Sequence, residues 1–232
     1  DTRELIYTSG YHFGYYLLDD FIEGRIDADL VVVLSCWSLT NAQTEKLAVQ
    51  AQREGRTVLW MGGFGELTPA QMHTLTGMDI QPQTGNDLGL ITFRPHAESG
   101  FDYSGDLETW YLEPLYKVVS EGVEKLAVFE DGTPALSLQT VGKSRQLFYA
   151  DFQLFPELLN GVAKVAGIHR RWRYLSRQRQ PQCASRQNRR RQDPAPAGSG
   201  GRVLLFYRSL AGKCHRGFSF HEGSRPELRC RS

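Results

Sequence analysis

Cys36 follows an aliphatic run, the place where a nucleophilic thiol could stand at the end of a strand. Such a thiol needs a Gly-x-Cys-x-Gly elbow to lift its sulfur above the sheet, and a base beside it. Here its neighbours are Ser35 and Trp37, and none of His12, His73, His96 and His169 lies in a matching motif. Cys36 is therefore a weak catalytic candidate, and a buried structural cysteine is expected. Asp19, Asp20 and Glu23 form the densest acidic cluster. Paired carboxylates can do general acid/base work or hold a cation. Adjacent residues on an extended chain point to opposite faces, however, so the sequence favours Asp19 or Asp20 as the cap of a short helix.

Gly62-Gly63-Phe64-Gly65 lies between a strand-like run and a helix start, where backbone N–H groups could cradle phosphate or a flavin phosphate. The loop is not GxGxxG and carries no Lys-Ser/Thr pair, so a tight turn is the expectation. If the chain holds a ligand, this crevice is still the place for it. No cofactor and no metal site are expected. Trp37, Phe64, Tyr103, Trp110, Tyr111 and Tyr116 could line a carbohydrate or subunit surface, although most should be core. Residues 95–112, rich in His, Glu, Asp, Gly and aromatic types, are expected to form an exposed loop touching a neighbouring domain.

These residues must be positioned by elements with two different periods. Leu30–Leu34 and Thr57–Met61 are unbroken β-branched and aliphatic runs, the pattern of strands buried on both faces of a parallel sheet. Between them, Thr40 or Asn41 can cap a helix over 42–54, with Leu47, Ala48 and Ala51 on one face and Gly55 after it. Thr68-Pro69 starts another helix, with Pro at its first position. The resulting strand–helix–strand–helix unit demands a right-handed crossover. Glu4–Ser9 reads as a helix end closed at Gly10, and Tyr15–Leu18 as a strand. Beyond residue 85, strands are expected near 88–93, 114–119, 125–129, 135–139 and 146–149, with Asp131-Gly132 as a hairpin turn. Phe155–Ala166 closes the body as an amphipathic helix bearing Leu158, Leu159, Val162 and Val165.

Composition splits the chain at about residue 168. The 27 basic and 26 acidic residues give a net charge of +1. From His169 onward there are fifteen Arg and one Lys against Asp193, Glu222 and Glu227, or +13, which leaves −12 upstream. Such asymmetry marks segments of different origin or role. Arg170–Gly201 has almost no aliphatic residues and reads as disordered. Val203–Tyr207 is an apolar patch that stands alone. Arg189-Arg190-Arg191 would attract phosphates without specificity, and neither a specific nucleic acid nor a membrane is expected as partner. Cys36 is apart from Cys183, Cys214 and Cys230, and nothing resembles a CxxC pair, so the body reads as reduced and cytoplasmic. No run of ~18 apolar residues and no leader peptide is seen, and the opening Asp1-Thr2-Arg3-Glu4 suggests a fragment of something longer.

Several segments resemble the middle domain of family 42 glycoside hydrolases of the β-galactosidase kind. They are Tyr16–Gly24, Asp29–Leu34, Leu39-Thr40 with its helix, Gly55–Trp60, and Phe148–Pro156 running into Val165–His169. The order and spacing of these segments carry the resemblance over most of residues 1–169, although each motif alone is soft. The resemblance implies an α/β trimerisation domain of the class I glutamine-amidotransferase-like, flavodoxin-like type with a mostly parallel sheet, over residues 1–168. It further implies a homo-oligomer, a trimer by analogy, and a role in walling a neighbouring active site. Catalysis on a carbohydrate would belong to a separate (β/α)8 barrel of about 250 residues, for which this chain has no room. The alternative is a stand-alone amidotransferase-like or flavodoxin-like enzyme or ligand binder. Past His169 the family pattern is lost. Codons can be chosen for Arg186–Pro196 that, read one base later, encode a plausible charged turn and strand. Residues 169–232 are on that ground expected to be disordered or the product of a frameshift near residue 170.

Overall fold

Two sequence textures become two halves of one sheet. A computed structural model describes residues 11, 13–34, 36, 38–83, 89–109, 114–168 and 203–207. In the first half, β1 (Phe13–Leu17), β2 (Leu30–Val33), β3 (Thr57–Met61), β10 (Ser144–Tyr149) and β11 (Val203–Tyr207) lie in the order β1-β11-β2-β3-β10, every neighbour parallel. All four residues of β2 and all five of β3 are buried, as continuous apolar runs require when both sheet faces are covered.

The second half continues from β10 through β9 (Pro134–Val141), β8 (Glu124–Phe129), β5 (Leu90–Phe93) and β6 (Gly105–Glu108), every neighbour antiparallel. Among the described residues the large sheet therefore has four parallel and four antiparallel pairings. The expected mostly parallel sheet holds for one half only, and the fold is mixed α/β. The reason lies in the connections. Asp131-Gly132 joins β8 to β9 and Gly142-Lys143 joins β9 to β10, and links this short can only reverse the chain. A second sheet pairs β4 (Ile80–Gln83) with β7 (Leu115–Val118).

The polar β4 and β6 were not expected as strands. Three of the four β4 residues are exposed, and no residue of β6 is fully buried. Of the stretch 95–112, expected as an exposed loop, residues 95–109 are described, and these are not loop throughout. They hold β6, a bridge between His96 and Phe101, and a Phe101 ring buried at 1% exposure. Val203–Tyr207 does not stand alone either. It pairs over five residues with β1 and over four with β2. The expected helix at Glu4–Ser9 and the Arg170–Gly201 segment lie outside the described residues.

The helices start where their caps allow. α1 (Leu18–Ile22) follows β1 directly. α2 (Asn41–Ala51) and α3 (Pro69–Thr76) each begin with a reciprocal capping box, Thr40 with Gln43 and Thr68 with Gln71. α2 ends at Ala51, a turn before the expected Gly55. α3 closes on Gly77 in the left-handed conformation, φ 70°. α4 (Pro156–Val165) has Pro at its first position and buries Leu158, Leu159, Val162 and Val165.

β10 fixes which face each helix covers. Arg145 donates to the carbonyl of Val165 in α4, while the next residue, Gln146, donates from Nε2 to the carbonyl of Ala51 in α2 at 3.0 Å. Successive side chains on a strand point to opposite faces, so α2 and α4 lie on opposite sides of the sheet. α3 is on the α2 side, tied by Gln71 Nε2 to Thr44 Oγ1 at 3.2 Å and by Gln52 Nε2 to the Thr74 carbonyl at 2.7 Å. Two buried polar groups knit this side together. Gln146 also accepts from Trp60 Nε1 at 3.0 Å, and Arg56, 2% exposed, donates to the carbonyls of Ala28 and Gln50 and to Asp27. The Arg56 guanidinium also lies 5.1 Å from the Phe21 ring centroid. Burial, and then neighbouring Arg53, hold Arg56 below its ordinary pKa against the pull of Asp27.

Candidate functional site

In an open α/β sheet, a ligand crevice forms where two adjacent parallel strands send their following helices to opposite faces. β3 leads into α3 on one face, and β10 leads into α4 on the other. The crevice of this fold therefore lies beyond the carboxyl ends of β3 and β10, between the loops Gly62–Leu67 and Ala150–Phe155. The glycine-rich loop singled out in the sequence sits there. Its Gly62 N–H donates to the Tyr149 carbonyl at 2.9 Å, which ties the two loops together.

Aromatic side chains occupy this crevice. Gly62 has φ 74°, and a Cβ built on it would overlap the ring of Phe152. A Cβ on Gly63 would lie 2.7 Å from Cε2 of Tyr116. Phe64 is 1% exposed and stacks on Phe148, with ring centroids 5.6 Å apart and 17° between planes. Tyr116 meets Phe64 edge-on at 6.1 Å and donates its hydroxyl to the Gly65 carbonyl at 3.0 Å. Burial pushes the Tyr116 phenol above its ordinary pKa, so it stays protonated and serves as a donor. Glycine is thus required at 62 by its left-handed backbone and at 63 by close packing against Tyr116, reasons different from room for a phosphate.

Beside the plug lies a polar pair that the sequence reading did not single out. Tyr149 and Asp151, both 0% exposed, are two residues apart at the end of β10. Asp151 Oδ1 accepts from the Gln153 N–H at 3.0 Å, which shapes the turn into α4. The Tyr149 hydroxyl is buried with no hydrogen-bond partner among the described residues. Burial raises its pKa far above the ordinary tyrosine value, with Asp151 and then Tyr103 adding to the shift. It cannot act as a base near neutral pH. Its ring joins Phe93, Tyr103 and Phe155, which meet at centroid distances of 5.2 to 6.1 Å. The legible signal was the position itself: polar residues at the carboxyl end of the strand where the crossover direction reverses.

The structure does not bring the other candidates to this crevice as one constellation. Cys36 is in the core at 2% exposure. Asp19 and Asp20 stand in the first turn of α1, and the cap position belongs to Leu17, whose side chain makes no capping bond. The expected capping by Asp19 or Asp20 is thus corrected by one turn position: the strand runs into the helix without a polar cap. Both carboxylates still sit where the helix terminus favours negative charge. Asp20 pairs with Arg25 at 2.7 Å and Glu23 with Lys46 at 3.1 Å, so the acidic cluster is spread over ion pairs. His73 pairs with Asp79 at 2.8 Å, and His96 lies 3.6 Å from Glu124. Among the described residues, no group of three or more His, Cys, Asp and Glu could hold a metal. Phe64 and Tyr116 are core, and Tyr103 is half-buried against it. His12, Trp37, Trp110, Tyr111, His169 and Arg189–Arg191 lie outside the described residues.

The class defined by this geometry is a mixed α/β domain with an aromatic-filled switch point. No family model matches the sequence, and no curated protein matches it. Solved structures do. The β-galactosidase of Bacillus circulans sp. alkalophilus is 15% identical and aligns with a TM-score of 0.44 over 60% of this chain and 22% of its own. The β-galactosidase of Rahnella sp. R3 is 18% identical, TM-score 0.46, over 61% of this chain and 23% of its own. An exo-β-1,4-mannosidase of Opitutaceae bacterium strain TAV5 is 13% identical, TM-score 0.40, over 60% and 24%. The chain thus spans less than a quarter of the length of these enzymes, and a likeness of this degree assigns it neither a family nor an activity.

Proposed function

We propose that this chain is a non-catalytic assembly or accessory domain of a β-galactosidase-like glycoside hydrolase, with a flavodoxin-like, amidotransferase-like parallel half. The observation that carries the reading is the packing of Phe152, Tyr116 and Phe64 into the β3/β10 crevice among the described residues, against the glycine loop where a ligand would lie. A ligand-binding member of this fold would keep that crevice open. Support also comes from where the family-resembling segments fall. Tyr16–Gly24, Asp29–Leu34, Gly55–Trp60 and Phe148–Pro156 coincide with β1–α1, β2, β3 and β10–α4, the parallel half and its covering helix. On this reading the chain oligomerises, as a trimer by family analogy, and chemistry on a carbohydrate belongs to a separate barrel.

The test is direct. The full chain, incubated with a chromogenic β-galactoside, should give no turnover above the blank, and clear turnover would overturn the proposal. The competing reading is a stand-alone amidotransferase-like or flavodoxin-like enzyme. Labelling of Cys36 by a thiol-reactive glutamine analogue, or a flavin absorbance band in the purified chain, would establish it instead.

A further inference from the structure

The parallel half holds a strand that the chain delivers from far away. β1 and β2 are joined by the twelve residues 18–29, yet they are not neighbours, because β11 lies between them and is parallel to both. The register runs Phe13↔Val203 to Leu17↔Tyr207 on one side and Val203↔Leu30 to Phe206↔Val33 on the other. β11 is thus held by backbone ladders along both edges. It is separated from α4 and Ile168 by the 34 residues 169–202.

The slot demands an occupant. Leu30, Val31 and Val32 of β2 are 0% exposed and Val33 is 1% exposed with β11 in place. Without it, β2 would present an unpaired edge of four aliphatic residues, and β1 would lose the strand neighbour it has among the described residues. The topology admits β11 without violation. From β2 to β3 the chain moves one way across the sheet over the α2 face. From β10 to β11 it moves the opposite way after α4 on the opposite face, and reversing both direction and face preserves the right-handed sense. The run Val-Leu-Leu-Phe-Tyr is also rich in types that suit a strand covered on both faces.

From this we infer that the gap between β1 and β2 is a strand-binding site. Its ligand class is an extended, parallel, five-residue apolar peptide, and Val203–Tyr207 is its resident ligand, held in cis and able to bind in trans. A connection of 34 residues spans at most about 120 Å when fully extended. Such a tether presents the strand at an effective concentration in the millimolar range. The intact chain therefore keeps its own strand, and a second copy's Val203–Tyr207 enters only when the tether is cut or the resident strand disabled. The inference rests on sheet order and does not depend on the assembly reading above.

The experiment begins from folded protein, so that a variant's failure to fold cannot confuse it. A site-specific protease sequence is inserted after Gly198 in the full chain, and the purified protein is cut. The fragment carrying Val203–Tyr207 should co-elute with the body on size exclusion. It should be displaced by a labelled peptide spanning residues 201–209 and not by a scrambled peptide of the same composition. Uncut chain should bind the labelled peptide at least about 100-fold more weakly, because the tethered strand competes. A Leu205→Pro variant, which removes a ladder N–H, should bind the labelled peptide without cutting. Immediate separation of the fragments with an unchanged urea midpoint would overturn the inference, and so would equal binding of native and scrambled peptides.

Discussion

Replacing Gln146 by Leu keeps the volume of a fully buried side chain and removes its hydrogen-bonding head. In the native protein that amide accepts from Trp60 Nε1 at 3.0 Å and donates to the Ala51 carbonyl and the Ser144 hydroxyl, each at 3.0 Å. Trp60 is 1% exposed and Ser144 is 0% exposed, so water does not replace the lost partner. Ser144 keeps its bond to the Val141 carbonyl at 2.8 Å, leaving the indole N–H and the Ala51 carbonyl as the orphans. An unsatisfied buried group costs about 1–3 kcal/mol, and the added apolar surface returns part of that. The expected loss is roughly 2–4 kcal/mol. With a urea slope of about 2 kcal/mol/M, the unfolding midpoint should fall by about 1–2 M. Trp60→Phe removes the donor from the other side. In the double variant Gln146→Leu/Trp60→Phe the indole orphan no longer exists, so the two losses should sum to at least about 1 kcal/mol more than the double variant shows. Strict additivity, or a midpoint shift below about 0.3 M for Gln146→Leu, would refute the claim that this amide bonds the two central strands to α2.

Three further outcomes follow from named contacts. Gly62→Ala should destabilise by about 1–2 kcal/mol in the same unfolding assay: the left-handed backbone sets the cost, while the half-exposed Phe152 ring can swing away. Arg56→Lys should cost about 2–4 kcal/mol, because an ammonium cannot reach both the Ala28 and Gln50 carbonyls in the geometry of the guanidinium fork. At Asp131, burial works against ionisation, yet the Thr133 hydroxyl and N–H and the Lys117 ammonium hold the carboxyl at about 2, below the usual aspartate range. A depressed carboxylate stabilises above its unfolded pKa, and that contribution fades as pH falls from about 4 towards 2. Asp131→Asn should therefore cost no more than roughly 1 kcal/mol at pH 7, given a half-exposed group, and progressively less as pH falls to 2 and below. A gap between variant and parent that stays constant across that range would contradict the shift.

What the residues revealed in advance follows their chemistry. β2 and β3 were legible because unbroken aliphatic runs have one use in a sheet covered on both faces. α2 and α3 were legible because Thr40 and Thr68 can close capping boxes. β4 and β6 were hidden because strands with one buried residue or none lack the alternation that marks a half-buried strand. Val203–Tyr207 was visible as a run but not as a neighbour of β1 and β2, since nothing local encodes a partner so distant in sequence. At the crevice, Gly62–Gly65 reads as a tight turn or a ligand cradle, and it lies in the loop from β3 to α3. Part of its cause lies in Tyr116, which only the folded chain brings to Gly63.

β10 belongs to both halves of the sheet, antiparallel to β9 on one edge and parallel to β3 on the other. That places it at a boundary in time as well as in space. β8, β9 and β10 are joined by turns at Gly132 and Gly142, so their ladders close short loops and can form early. β3 is more than eighty residues upstream, and its pairing must wait for a long loop to close. The meander is thus the natural nucleus, β10 its growing edge, and β11 the last strand to enter. Amide protection acquired during refolding should sweep from Leu138 and Leu147 through Leu59 to Val32, and end at Leu205.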